Sequence, residues 1–261
     1  MNKRLLISLV GLLANLAHAD DCRQQLPAWI EMAHPGHAAG LALKDERGHY
    51  RVEGEQSVCK VWPARPELTL IAMPLVRAEH DTHGEADLEV LVLDSETQRF
   101  LVRLVEYSRL DWDAIYVDRL VLDTAPYRLH GDNLAFGVRI SRRNGSRMNP
   151  FMETELTLYE LKEQGLHSVM GELVVESYGG ERDDDCTASF GEAKGVLIVT
   201  DNVGHDGYRD LIFKRTHTGR RMVVVDGECQ TIEADARRDQ FRIEYDEERY
   251  LLPIELVSDP I

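Results

Sequence analysis

Two histidine pairs have spacing that could serve shared chemistry. His34/His37 and His80/His83 each set two imidazoles three residues apart. On a helix such a pair can face one metal ion, as in zinc peptidases, but those use His-Glu-x-x-His with the glutamate as base. His34-Pro35-Gly36-His37 cannot lie in a helix interior, because proline lacks a backbone donor and clashes with the preceding turn. His80-Asp81-Thr82-His83 stands in a polar loop. Both pairs read as surface-loop histidines. The acid pairs Asp111/Asp113 and Glu153/Glu155 could act as glycosidase carboxylates. With 46 acidic residues in the chain, such pairs are expected by chance. There is no Gly-x-Ser-x-Gly elbow, no phosphate-binding glycine loop before a helix and no Rossmann pattern.

One loop carries a denser set of oxygen donors: Asn202-Val-Gly204-His205-Asp206-Gly207-Tyr208-Arg209-Asp210-Leu211. It resembles the calcium loop of FG-GAP (integrin-type) propeller repeats. In that family oxygen ligands recur at alternate positions before a glycine, and a final aspartate precedes the next strand. By position, the resemblance implies Asn202, Asp206, the Tyr208 carbonyl and Asp210 as calcium ligands. A hard cation takes about six to eight oxygens. Gly204 occupies a place where the family pattern has a side-chain ligand, so the implied site is depleted. The resemblance covers this loop alone; the loop from His80 to Asp87 lacks the pattern. The alternative is a glycine-rich turn whose acids cap the backbone, with no cofactor.

Two further features suit contacts with a partner. Arg142-Arg143 and Arg147 flank the Asn144-Gly145 turn signal and could grip an anionic group, or simply form an exposed hairpin tip. Trp112, between Asp111 and Asp113, is either a contact anchor or a cover for the end of a sheet.

The elements that would position these residues are mostly strands. Residues 1–19 have the marks of a targeting segment: Lys3-Arg4, the apolar run Leu5–Leu16, and Ala17-His18-Ala19 as a small-x-small cleavage site. The run is shorter than the roughly 20 residues of a lasting anchor, and no later window is long enough for integral membrane insertion. Losing this segment takes the net charge from −16 to −18. Such a surface repels nucleic acid and favours solubility or a basic protein partner. Four cysteines, an even number in a chain expected to be exported, imply two disulfides. Loop length favours Cys22–Cys59 and Cys186–Cys229, each worth about 3–4 kcal/mol.

Pro27 to Ala33 reads as a short helix with proline in its first turn. From Gly40 onward, short alternating runs broken by turn residues predict an all-β protein of antiparallel meanders, either propeller-like or a two-sheet sandwich. A cysteine-led unit occurs twice, Cys59–Leu104 and Cys186–Val225. In each an apolar run follows the cysteine, Asp-Leu opens a second run, and an arginine precedes a third. It suggests a β-rich first half, residues 20–178, and a second half, 179–261, that repeats the unit within one continuous fold. Together these features point to a non-enzymatic, periplasmic or secreted protein that binds another macromolecule, such as an inhibitor or immunity-type protein against a basic toxin or wall enzyme. The competing expectation is an envelope hydrolase with a divalent-metal loop.

Overall fold

The computed structural model describes residues 17–183 and 186–257; the rest of the expected targeting segment, residues 1–16, lies outside them. The chain is all-β, with two antiparallel sheets and a helix at its N-terminal end. Of the two expected arrangements, the packed sheets are the one found.

The first sheet contains β1 (Leu43–Asp45), β2 (Gly48–Val52), β3 (Val58–Val61), β4 (Leu68–Glu79), β5 (Gly84–Asp94) and β6 (Phe100–Trp112). β4 and β5 are almost wholly buried. That is why β4 reads as a near-continuous apolar run, whereas β5 keeps two buried acids, Asp87 and Glu89, within its run. Pro74 is tolerated in a central strand for a specific reason. β3 pairs with β4 up to Ala72 and β2 resumes at Leu75, so proline sits in the gap between two neighbours. Its carbonyl still accepts from Glu53 N at 3.0 Å, and the donor it lacks would have pointed to that same side.

The second sheet is a consecutive meander: β7 (Ile115–His130), β8 (Asn133–Asn144), β9 (Phe151–Lys162), β10 (Gly165–Arg182), β11 (Ala188–Val203), β12 (Arg209–Val225), β13 (Glu228–Asp246) and β14 (Arg249–Leu251). A four-residue helix, α2 (Ile254–Val257), follows. The sheet curls until His130 of β7 bridges to Tyr208, just before β12.

Three apolar clusters fill the layers. Leu70, Leu88, Leu122 and Phe136 belong to the one between the sheets. Leu158, Leu173, Phe213 and Ile243 line the inside of the curl. The third lies between the outer face of the first sheet and α1 (Ala17–Ala33).

That helix is longer than the sequence suggested, and Pro27 is inside it rather than in its first turn. Cys22, Leu26, Trp29 and Ile30 form a buried stripe at helical spacing. The Cys22–Cys59 disulfide fixes the helix to β3. These contacts offset the backbone bond that proline removes. The second bridge is Cys186–Cys229, so both expected pairings are present.

The two cysteine-led units are built differently. The first spreads over β3 to β6, whereas the second places both Asp210-Leu211 and the run after Arg220 on the single strand β12. The sheets change at Asp113-Ala114. The segment around residue 179 instead belongs to β10, paired with β11 inside one sheet.

Candidate functional site

An open cleft of about 930 Å³ lies where β6 meets β9 and β10, with β14 and α2 on its far side. Arg109 is its hub. The guanidinium donates to Glu155 at 3.0 Å and lies 3.5 Å from Glu172 and 3.8 Å from Glu106. Arg142 donates to the same Glu155 oxygen at 2.6 Å, and to the Arg109 carbonyl at 3.1 Å. Glu155 is therefore held by two guanidinium groups.

The other acids are less well matched. Burial raises the pKa of Glu106, and neither the Tyr159 hydroxyl nor Arg109 fully offsets it. Burial and the neighbouring Glu155 likewise raise Glu153, against Arg142. Four glutamates thus line the cleft with Arg109 and Arg249, and Arg142 reaches Glu155 from outside that lining, so the acids still outnumber the arginines. The backbone helps bring them together. Ser108 and Glu172 both have positive φ, 50° and 47°, where β6 and β10 shift register against their neighbours. Such bulges re-aim the side chains beside them.

Glu153, Val174 and Leu256 also wall a smaller cavity of about 160 Å³ inside the curl. Cross-strand pairing sets Glu153, Ser177, Ala193, His217 and Arg237 in one row. His217 Nε2 is 3.0 Å from Asp239 Oδ2. Burial lowers the His217 pKa, as do Arg215 and Arg237, so the ring is neutral near pH 7. A histidine oriented by an aspartate is half of a nucleophilic site, but Ala193 on the intervening strand separates it from Ser177. Strands lie about 4.8 Å apart, so the serine is beyond the imidazole's reach.

The sequence-predicted residues are scattered. Arg142 is tied to Glu155 and the Arg109 carbonyl beside the cleft. Arg143 pairs instead with Asp118 at 2.7 Å, and Arg147 is exposed beyond the strand end. Trp112 is half-buried, packs on the core between the sheets and lies against Gly84. Asp210 is buried. Its carboxylate accepts from Asn202 and, at 2.5 Å, from Arg242. The Tyr208 carbonyl accepts from Gly204 N at 2.7 Å, while the Tyr208 hydroxyl donates to Glu160 at 2.6 Å. Asp206 is exposed, 3.2 Å from His205. Among the described residues, no group of three or more His, Cys, Asp or Glu side chains is arranged to hold a metal ion.

His34 is not a surface-loop residue. It is 2% exposed, with Nε2 2.6 Å from Glu89 and Nδ1 3.0 Å from the Tyr50 hydroxyl. Glu89, with no exposed area of its own, also accepts from Arg103. His80 and His83 remain together in an exposed turn.

No family model matches this chain, and neither a curated protein nor a solved structure gives a match.

Proposed function

We propose that this chain is an exported, non-enzymatic binding protein whose cleft accepts a lysine or arginine side chain of a basic protein partner. The observation that carries this reading is the charge mismatch in the cleft. Glu106 and Glu153 hold their protons more tightly than an ordinary glutamate, because burial is not matched by positive charge. A cation supplied from outside would offset that deficit. The formal charge of −16 would steer such a partner towards the surface.

Two disulfides fit an oxidising compartment, and no described helix is long and apolar enough to cross a membrane. The periplasm, and an inhibitor or immunity-type role against a toxin or wall enzyme, are part of the proposal. Affinity capture from a periplasmic extract, compared with the Glu106→Gln/Glu153→Gln variant, tests it. A basic partner should bind saturably to the parent and be lost from the variant. Equal capture by both, or no saturable partner, would refute the reading.

A second reading rests on the same acids. Glu106, inclined to stay protonated, shares Arg109 with an ion-paired Glu155. An acid beside a carboxylate is what glycan hydrolysis uses. Release of soluble fragments from cell-wall glycan by the parent, abolished in Glu106→Gln, would favour the hydrolase over the binding protein.

A further inference from the structure

We propose that two copies of this chain pair antiparallel along the outer edge of β13, joining their larger sheets into one. β13 is the longest strand, Glu228–Asp246, and β12 pairs with its inner side from Glu228 to Ile243. On the outer side, among the described residues, only β14 pairs with it, and only over Glu244–Asp246. From Glu228 to Arg238 every residue is exposed. The other sheet edges are shorter or partly occupied. β1 has three residues, and the β7 edge receives Lys60 Nζ on the Leu122 carbonyl at 3.3 Å. A long bare edge is a template for another strand unless something covers it.

Charge along the strand selects a second copy as the occupant. Pairing with β12 skips from His217↔Arg237 to Gly219↔Ala234, which leaves Asp235-Ala236 as a bulge. The stretch before the bulge carries Glu228 and Glu233. The bare edge after it, residues 237–243, carries Arg237, Arg238 and Arg242 with Asp239, while Glu244 and Asp246 lie where β14 pairs. Arg237 and Arg242 already meet Asp239 and Asp210 of their own chain, so Arg238 is the cation that faces a partner. A two-fold axis at the bulge lays the acidic stretch of each copy along the basic stretch of the other. Glu233 then stands opposite Arg238 twice. Neither residue makes an ion pair with the described residues of its own chain. Repulsion between two acidic molecules is screened beyond about 8 Å at physiological salt, so the facing charges decide the contact. The two-fold contact closes on itself, so assembly stops at two.

Sedimentation equilibrium on the disulfide-intact protein tests this. The parent should show a reversible monomer–dimer equilibrium without larger species. Glu233→Arg and Arg238→Glu should each weaken it about tenfold or more, and their combination should restore it. Both side chains are exposed, so circular dichroism and the thermal midpoint should stay unchanged. If a variant fails to fold, amide exchange of the parent supplies the second readout, with protection that rises with concentration around Thr231–Gln240. A monomer at every concentration, a dimer indifferent to both reversals, or growth into longer assemblies would overturn the proposal. So would a monomer that takes an extended segment of another protein at this edge.

Discussion

The Tyr159 hydroxyl donates to the Glu106 carboxylate at 2.6 Å, and the two residues belong to different sheets. The tyrosine has no exposed area and stacks on Phe136, so its hydroxyl needs an acceptor inside the protein. Glu106 supplies it from β6, at the cost of keeping a carboxylate away from water.

This gives the folded protein a defined pH dependence. Burial raises the Glu106 pKa above its ordinary value, so the folded state binds this proton more tightly than the unfolded chain does. The contribution to stability is fully present below the ordinary glutamate range and is lost as pH rises through the raised value. Glu106→Gln keeps an acceptor for Tyr159 and removes the ionisation. Urea midpoints measured from about pH 4 to about pH 8 should show the variant gaining on the parent as pH rises. A constant difference would mean that Glu106 titrates normally.

Glu89 behaves in the opposite sense. Burial pushes its pKa up, but the hydrogen bonds and charges of His34 and Arg103 more than reverse this and leave it lowered. Its stabilisation is present above the ordinary glutamate range and is lost as pH falls through the lowered value. His34→Ala removes one partner and leaves a fully buried carboxylate with Arg103. A loss of about 3 kcal/mol or more is expected from urea unfolding at neutral pH. Glu89→Gln/His34→Ala should be less damaging than His34→Ala alone, because the charge left without its histidine is gone.

Trp112 and Gly84 form a single fitted pair. A methyl group added to Gly84 would overlap the Trp112 ring, and the Ala78 carbonyl oxygen would stand 2.8 Å from it. Gly84→Ala should cost about 1–3 kcal/mol, and Trp112→Ala about 2 kcal/mol or more through lost packing. In the Trp112→Ala background the Gly84→Ala penalty should shrink without vanishing, since the Ala78 oxygen remains. A double-mutant cycle on thermal or urea unfolding measures that coupling. Strict additivity would show that the ring does not rest on Gly84 in solution.

β4 and β5 are legible because residues 68–76 and 86–93 are buried and mostly apolar, with Thr69, Asp87 and Glu89 as the polar exceptions. The disulfide pairing followed from loop length. Pro27 misplaced the start of α1, although the spacing of Cys22, Leu26, Trp29 and Ile30 already describes a helical stripe. Around the cleft, Arg142, Glu153 and Glu155 are visible in the sequence as charged residues. Their meeting with Arg109 and Glu172 is not, because it depends on sheet packing and on left-handed backbone at Ser108 and Glu172, residue types that do not signal it. His217 and Asp239 meet through cross-strand register, which a one-dimensional pattern does not carry.

The glycine-rich loop before β12 gives the last test. Calcium at the positions implied by the family likeness would need the Asp210 carboxylate, the Tyr208 carbonyl and Asn202 to turn their oxygens towards one point. Asp210 instead accepts from Arg242 through two nitrogens, at 2.5 and 3.2 Å, and from the Asn202 amide. The guanidinium already supplies the positive charge that a cation would bring, and Gly204 adds no side-chain oxygen. The thermal midpoint should therefore not move with millimolar calcium or with chelator. Arg242→Ala, by contrast, should lower it by leaving the buried Asp210 carboxylate short of charge. Adding calcium to Arg242→Ala separates the two accounts. A midpoint restored by calcium would show that the loop can hold the ion once the arginine is gone, whereas an unchanged midpoint would leave Asp210 as an anchor between β12 and β13.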